Sequence, residues 1–326
     1  MELNYKIQTY EWGKRGDESK VAVLHANVNK SFKIEKNVPY SELWLGTHEN
    51  GPSSLKNGDT LSSLITKHPE YLGDKVLSVN QALSIQAHPS KKHAEELHEQ
   101  RPDIYKDPNH KPELAIALTP FEALCDIPEL NNVVGNILEK YSDTQAESID
   151  LLKEAFRAVL VSPKNVISTQ LKHLLQRLKT LDTKQREVQL ADLIEKLHFH
   201  YPGDVGCFIV YFLNYIKLKP FEAIYLGANE PHAYLYGDCV ECMACSDNVV
   251  RAGLTPKFID VDTLCSMLIY KGEKAEDKIF KPIIEDDHSQ IFKPPVPDFA
   301  VAQIKTTPRS SASILLVISG KAKSDD

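Results

Sequence analysis

Three short segments of the sequence contain side chains that are suited to bind one divalent metal ion. If the first segment is a strand, alternate side chains point to the same side, so Ser84, Gln86 and His88 share one face. Glu113 precedes an apolar run, and His232 follows a turn that ends at a proline. Together one glutamine, two histidines and one glutamate offer the mixed nitrogen and oxygen ligands of a Zn²⁺ site with open positions, which is typical of catalytic sites.

Each segment taken alone also has a simpler structural explanation. The polar strand face could be exposed to solvent while Leu83, Ile85 and Ala87 face a core. Lys111 and Glu113 lie two residues apart and could form a surface ion pair. A single histidine is more often structural than a ligand. The metal-site hypothesis therefore requires that the three segments meet in the fold.

Charged side chains are dense between residues 237 and 257. Glu241, Asp247, Arg251 and Lys257 all lie in this stretch, which is more charge than a buried strand carries without a function. Arg251 offers a planar fork of donors and Lys257 a point charge, so the two could hold a phosphate group.

Three cysteines of the same stretch, Cys239, Cys242 and Cys245, follow a Cys-x₂-Cys-x₂-Cys pattern. The pattern resembles a metal or iron–sulfur motif, but a fourth ligand at a suitable spacing is missing. Apolar neighbours favour small buried packing side chains instead. The six cysteines of the chain are expected to be reduced thiols in a cytosolic protein.

The composition excludes several classes of protein. The 326 residues are 42% hydrophobic and 25% charged, which is typical of a folded globular chain. A formal charge of −7 gives no electrostatic reason to expect nucleic acid or an anionic membrane as a partner. No apolar run is long enough to span a bilayer, and the first six residues lack the layout of a signal peptide.

The spacing of apolar residues predicts a β-rich fold that is interrupted by helices. Residues 1–125 contain short apolar runs between turn residues, with a helix beginning after Ser90. Residues 129–200 repeat apolar positions at helical spacing and predict about four amphipathic helices. The predicted breaks between these helices lie near residues 142–146, 162–164 and 182–184. The runs interpreted as strand-like include residues 21–24, 43–45 and 207–213.

Several longer stretches resemble one enzyme family. They are residues 10–14, 42–48, 84–89, 109–118, 201–207 and 232–260. In these stretches the chain is similar to type I mannose-6-phosphate isomerase (phosphomannose isomerase) of eukaryotes, and residues 237–257 are the most specific part of the match. The resemblance covers most of the chain up to about residue 270, apart from the helical region.

The resemblance implies a mainly β fold with an inserted α domain. The expected parts are a cupin-like (jelly-roll) β-barrel, a helical insertion and a truncated second cupin-like domain. The catalytic domain would comprise residues 1–125 and 201–270, and the helical domain residues 126–200. Residues 271–326 would form a linker and the incomplete C-terminal domain.

The resemblance also implies an activity and roles for the site residues. The expected reaction interconverts mannose 6-phosphate and fructose 6-phosphate and supplies mannose for GDP-mannose and glycosylation. One Zn²⁺ per chain would be bound by Gln86, His88, Glu113 and His232. The residues around the substrate would be Arg251, Lys111, Glu241, Asp247 and Tyr234, with Ser84 and Lys257 at its phosphate end.

The expected chemistry is proton transfer between C2 and C1 of the sugar through an enediol. The metal would stabilise negative charge on O1 and O2, and Arg251 could stabilise the enediolate. A base is needed whose pKa lies near the operating pH. Glu241 and Lys111 are both candidates, and the sequence does not choose between them.

The chain departs from the family pattern in its scaffold and not in its site. About one strand's worth of residues is expected to be missing after Val76, the stretch 308–311 is short, and the chain ends soon after a predicted strand at 313–319. An incomplete sheet would expose an edge and an apolar face. The alternative function is therefore a catalytically impaired isoform or a non-catalytic cupin that binds metal or sugar phosphate.

The expected partner is a small sugar phosphate, with neither nucleic acid nor membrane as a further partner. A cytoplasmic location and a monomeric state are also expected. The proline-rich residues 293–297 are interpreted as a linker.

Overall fold

A computed structural model of the protein describes residues 3–63, 74–128 and 145–304. The strands are β1 (Leu3–Asn4), β2 (Lys6–Gln8), β3 (Lys14–Arg15), β4 (Pro39–Tyr40), β5 (Glu42–Leu45), β6 (Ser54–Leu55), β7 (Asp74–Val79), β8 (Ile85–Ala87), β9 (Glu113–Ala117), β10 (Phe121–Cys125), β11 (Asn214–Leu218), β12 (Ala223–Leu226), β13 (His232–Met243), β14 (Val250–Gly253), β15 (Ile279–Phe280), β16 (Ile283–Ile284), β17 (Ser289–Phe292) and β18 (Val301–Ile304). The α-helices are α1 (Lys20–Val28), α2 (Lys91–Gln100), α3 (Gln145–Val161), α4 (Lys164–Leu178), α5 (Thr183–Val188), α6 (Ala191–His200), α7 (Gly206–Ile209) and α8 (Val261–Met267).

Strand β13 takes part in two sheets that face each other. One sheet has the order β15-β12-β9-β13-β7-β5-β2, and the other has the order β11-β10-β13-β8-β14. The ladders that β13 forms with β7, β8, β9 and β10 are all antiparallel. Leu77 and Ala115 of the first sheet share a buried cluster with Phe121 and Ile216 of the second. This arrangement agrees with the predicted jelly-roll barrel.

The helical insertion packs against the outer side of β8 and β14. Leu152, Phe156 and Leu171 of the helices form one buried cluster with Ile85 of β8 and with Val250 of β14. The described part of the predicted helical region contains α3 to α6, and its break near 162–164 is confirmed. The break predicted at 182–184 lies slightly earlier, at 179–182, since α5 begins at Thr183. The third predicted break, at 142–146, overlaps the undescribed residues.

Strand β8 has the two faces that the sequence predicts. Ile85 and Ala87 are completely buried against the helices. Leu83, predicted to share their face, lies just before the strand and packs with the barrel core instead. The helix expected after Ser90 is α2, and the Ser90 hydroxyl accepts a hydrogen bond from the backbone N–H of His93. The tight transition from strand to helix holds residues 84–88 in place.

Two segments predicted as strand-like are helical. The apolar run at 207–213 forms α7 and a short 3₁₀ helix, Val210–Phe212, and the Asp204 carboxylate accepts the N–H of Gly206 where α7 begins. Residues 21–24 lie in α1, where the Ser19 hydroxyl accepts the N–H of Ala22. Short apolar runs have no periodicity that separates helix from strand, so the composition of these two segments does not distinguish the two structures.

Near residue 76, where residues are expected to be missing relative to the family, the described sheet has no gap. Strand β7 lies between β5 and β13 and pairs with both, so the ladder is continuous there. At the other end of the described chain, β16, β17 and β18 form a separate three-stranded sheet. The proline-rich residues 293–297 connect two strands of that sheet. The strand predicted at 313–319 and the short stretch at 308–311 lie outside the described residues.

None of the six cysteines, all of which lie among the described residues, forms a disulfide, and Cys245 is exposed and therefore is not the buried packing residue that was predicted. Cys239 and Cys242 are buried, in agreement with the prediction. None of the helices among the described residues combines the length and apolar character that a membrane span requires.

Candidate active site

Two histidines and one glutamate converge inside the barrel. His88 directly follows β8, Glu113 begins β9 and His232 begins β13, and each is at most 1% exposed. The Nε2 atom of His88 lies 3.2 Å from Oε1 of Glu113, and the Nε2 atom of His232 lies 3.4 Å from Oε2. Within the described residues, this group has the ligand types and proximity that a metal site requires.

The hydrogen bonds of the two imidazoles leave lone pairs that point at the carboxylate. Nδ1 of His88 lies 2.6 Å from the carbonyl oxygen of Asn248, and Nδ1 of His232 lies 2.9 Å from that of Glu230. A carbonyl only accepts, so each Nδ1 donates and each Nε2 carries a lone pair. Both Nε2 atoms are buried without a hydrogen-bond partner. A divalent cation fits this set, because it would satisfy groups that cannot donate to one another.

Gln86 and Arg251 lie in the same row as His232 across three strands. Gln86 of β8 is directly opposite His232 of β13 and also directly opposite Arg251 of β14. Directly opposed residues of antiparallel strands project from the same face of the sheet. The strand register therefore places the predicted fourth metal ligand and the predicted catalytic cation beside the histidines.

Lys111 and Tyr234 complete the surroundings of Glu113. The Nζ atom of Lys111 lies 3.1 Å from Oε1 of Glu113, and the Tyr234 hydroxyl donates to Oε2 at 3.4 Å. Burial opposes ionisation of Glu113, but Lys111 and the contacts with the two histidines together hold the carboxyl pKa well below its usual range. Glu113 is buried and the Lys111 side chain is only 14% exposed, so the surface ion pair considered for the two residues is wrong.

Glu241 lies on the wall of the same site. It is 6% exposed and sits opposite Ala115 of β9 and opposite Lys75 of β7. Burial and repulsion from Glu113 raise its pKa to about 7. Lys111 behaves differently, because the carboxylates of Glu113 and Glu241 raise its pKa even though burial lowers it. The two candidate bases therefore differ in protonation at neutral pH.

A bulge in β13 brings Tyr234 and Glu241 to the same side. The two residues are seven positions apart and would point to opposite faces of a regular strand. Positions 122 and 123 of β10 pair with Tyr236 and Tyr234 of β13, so β13 contains one extra residue between these two tyrosines. Gly237 follows, at φ +115°, where a Cβ would lie 2.6 Å from the carbonyl oxygen of Pro120. The extra residue shifts the alternation of side chains along the strand by one position. Tyr234 and Glu241 therefore point to the same side, and both are buried near Glu113.

Three of the remaining predicted residues line one cavity, which is linked to the cluster through Arg251, the residue opposite Gln86 in the sheet. Asp247, Arg251 and Lys257 share a cavity of about 380 Å³ with Phe258. Asp247 is paired with His48 at 3.1 Å. Ser84 is not among the residues that line this cavity, and its hydroxyl donates to Oε1 of Gln86 at 3.2 Å.

Sequence reasoning missed the groups that support these residues. The backbone carbonyls of Asn248 and Glu230 orient the two histidines, and nothing in the residue types indicates them. Lys75 is nearly buried, with its Nζ 4.0 Å from the ring centroid of Trp44. Only the pairing of β5, β7 and β13 places Lys75 beside Glu241.

Comparison with protein families agrees with this arrangement. The model of the catalytic domain of type I phosphomannose isomerase matches residues 1–129, and the model of the helical insertion domain of that family matches residues 131–213. The two matches cover more than half of the chain.

The chain belongs to the type I phosphomannose isomerase family.

Relatives of known activity in this family match over almost the whole chain. Mannose-6-phosphate isomerase of Bos taurus is 42% identical over 98% of this chain and 87% of its own length. The enzyme of Cryptococcus neoformans is 40% identical over 90% of this chain and 81% of its own length. The bovine alignment spans 367 positions, more than the 326 residues present here, so this chain lacks residues that the relative has within the match.

Solved phosphomannose isomerase structures share the fold. Mannose 6-phosphate isomerase of Salmonella typhimurium, bound to fructose 6-phosphate and zinc, superposes with a TM-score of 0.76 at 30% identity. That match covers 92% of this chain and 82% of the other. A second, zinc-bound structure of the enzyme has the same TM-score at 31% identity, with the same coverage of both chains.

Proposed function

We propose that this protein is a zinc-dependent isomerase that interconverts mannose 6-phosphate and fructose 6-phosphate. The observation that carries the proposal is the convergence of two imidazole lone pairs on a buried carboxylate, beside a cavity that contains Arg251 and Lys257. Membership of the phosphomannose isomerase family supports the same reaction. The product would supply mannose for GDP-mannose and glycosylation.

The metal-binding residues in this proposal are Gln86, His88, Glu113 and His232. The last three converge within ligand distance of one another, and Gln86 is added because it lies opposite His232 in the sheet. A bound zinc ion supplies Lewis-acid stabilisation of negative charge on substrate oxygens.

The surrounding residues bind the sugar phosphate and stabilise charge. Arg251 is assigned to the C1–C2 end of the open-chain sugar, where its guanidinium stabilises the enediolate. Lys257, at the exposed side of the cavity, and Ser84 bind the phosphate. Asp247 and Tyr234 orient the sugar by hydrogen bonding. Each assignment rests on position in the site and on the chemistry of the side chain.

Glu241 is the proton-transfer base in this proposal, and Lys111 remains a cation. A carboxyl group with a pKa of about 7 is poised to take a proton from C2 and return one at C1 near neutral pH. Lys111 is held protonated by its contact with Glu113. It is therefore suited to neutralise charge rather than to abstract a proton.

The role of Glu241 predicts an acid limb in the pH dependence of kcat/KM. The free base is lost as pH falls through the pKa of Glu241, so the rate should fall about tenfold per pH unit on the acid side. The bound cation favours the carboxylate and moves this limb to lower pH. Glu241→Gln should lower kcat by about 10²–10⁴-fold and remove the limb. Glu122→Gln, a half-buried glutamate of β10 outside the cluster, should retain the limb. An unchanged limb in Glu241→Gln would assign the base elsewhere.

The function itself is tested by a coupled assay with mannose 6-phosphate, before and after treatment with a chelator. We expect turnover, its loss on chelation and its recovery with added zinc. The same assay should respond to fructose 6-phosphate in reverse. Bound metal without turnover would instead identify a non-catalytic metal- or sugar-phosphate-binding protein.

Several sequence-based expectations are retained as part of the proposal. These are the domain boundaries at residues 125, 200 and 270, a cytoplasmic location, a monomeric state, and the absence of nucleic acid and membrane partners. The reduced cysteines support the cytoplasmic location. Sedimentation equilibrium of the purified chain tests the monomeric state, and a dimer would contradict it.

A further inference from the structure

A buried lysine, Lys278, contacts three carboxylates next to the metal-binding histidines. Its Nζ atom lies 3.1 Å from Oε2 of Glu230, 3.2 Å from Oδ2 of Asp126 and 3.5 Å from Oε2 of Glu273. The side chain is only 8% exposed, and that of Asp126 is 3% exposed. A single buried cation therefore holds together carboxylates from three separate segments of the chain.

Glu230 connects this cluster to one metal-binding histidine. Its carboxylate accepts the N–H of Gly227 at 3.0 Å and the ion pair from Lys278. Its own backbone carbonyl, in turn, accepts the Nδ1 hydrogen of His232. The orientation of the His232 ring therefore depends on where residue 230 is held.

The same turn also contacts the second histidine. The N–H of Asn229 donates to the backbone carbonyl of His88 at 2.7 Å, with Asn229 in the left-handed region at φ +66°. The N–H of Asp126 donates to the carbonyl of Pro231 at 2.8 Å. Lys278 thus binds the carboxylate of Glu230, which lies within the turn at residues 227–231, and the carboxylate of Asp126, whose backbone N–H holds the end of that turn at Pro231.

We propose that Lys278 is a positioning residue for the zinc site, acting through Glu230 and the turn at residues 227–231. Lys278 touches neither substrate nor metal. It fixes the turn that orients His232 and contacts the backbone of His88. This inference rests on the proposed zinc site.

The electrostatics of the cluster explain why a lysine is needed. Burial alone lowers the pKa of a lysine, but the carboxylates of Glu230 and Asp126 raise that of Lys278 above its usual value. Without the cation, the buried carboxyl group of Asp126 and the partly exposed carboxylate of Glu230 would face one another, which favours protonation of one group or their separation. Separation would move Glu230, and with it the carbonyl that holds His232.

The test compares Lys278→Met with Lys14→Met. Lys14 is a matched control because it forms a buried ion pair with Asp238, and its side chain is also 8% exposed. Neither partner of that pair contacts a metal-binding residue in the described structure. Both variants are expected to lower the Tm of the metal-free protein. Zinc affinity is measured by competition with a chromophoric chelator, and the Co²⁺-substituted proteins are compared by their absorption spectra.

We expect Lys278→Met to weaken zinc affinity about tenfold, which is the lower end of the effects seen when ligand-orienting contacts are removed. The same variant should alter the Co²⁺ spectrum. Lys14→Met should leave both unchanged, and Lys278→Arg should restore most of the affinity because it keeps the charge. If Lys278→Met does not fold, Glu230→Gln removes the partner charge while keeping an acceptor for Gly227, and should weaken zinc binding in the same way.

The outcomes separate this inference from the proposed function. If the unaltered chain binds no zinc, the proposed site itself is wrong. If the unaltered chain binds zinc, and the folded Lys278 or Glu230 variant binds it equally well with the same spectrum, only the positioning role is wrong. An equal loss of affinity in Lys14→Met would also overturn the role, since the effect would then follow from general destabilisation.

Discussion

Replacing Glu113 by glutamine is expected to abolish zinc binding and to lower isomerase activity at least about a thousandfold. Glu113 is the one anionic group among the converging ligands, and its two oxygens lie 3.2 and 3.4 Å from the two imidazole Nε2 atoms. Glutamine has nearly the same shape but no charge, so two imidazoles and two amides would remain. Metal-ion catalysis is worth several kcal/mol, or about three factors of ten in rate.

Elemental analysis and the coupled assay on the same preparation measure both effects of Glu113→Gln. Glu122→Gln is the matched control, because Glu122 lies on the neighbouring strand β10 outside the cluster and should retain zinc and activity. The variant also removes the carboxylate that pairs with buried Lys111, so folding is checked by circular dichroism. A folded Glu113→Gln protein with full zinc content would refute the proposed ligand set.

Replacing Arg251 by alanine is expected to lower kcat by about 10²–10³-fold while zinc content stays unchanged. Removing one preorganised group that stabilises a developing anion has an effect of this size. Arg251 lies on β14 opposite Gln86, close to the proposed metal ligands but not one of them. Loss of its charge should therefore affect the transition state and not metal retention.

Lys257→Met is the informative comparison, since both cations line the same cavity. Lys257 is exposed and is proposed to bind the phosphate, which does not change during the reaction. Its loss should raise KM by about tenfold with kcat almost unchanged, as expected for an interaction present equally in ground and transition states. Steady-state measurements of kcat and KM for both variants distinguish the two roles. Near-normal kcat in Arg251→Ala would show that Arg251 is not catalytic.

The local pattern predicted those parts of the site that depend on alternation along one strand. Ser84, Gln86 and His88 share a face, with Ile85 and Ala87 buried on the other, because a strand has a period of two. The four insertion helices that are described follow from their apolar spacing in the same way. Local periodicity failed at residues 207–213, where an apolar run without period became a helix.

Register and bulges could not be predicted from the residues. The bulge between Tyr234 and Tyr236 shifts the alternation of side chains along β13. Counting residues along the sequence would therefore place Tyr234 and Glu241 on opposite faces, whereas they share one. The position of Lys75 beside Glu241 depends on which strands become neighbours. These features are set by pairing energies between distant segments, which a single strand's composition does not contain.

The sequence by itself determined the chemistry of this protein: which ligand types are present, which cations are available for an anionic substrate, and which family the motifs resemble. Only the tertiary structure decided that His88, Glu113 and His232 meet, which tautomer each imidazole adopts, and that Lys278 supports them from a position 46 residues beyond His232. The physical reason is that side-chain chemistry is a property of each residue. Charge pairing, burial and lone-pair direction are properties of neighbours that only the fold brings together.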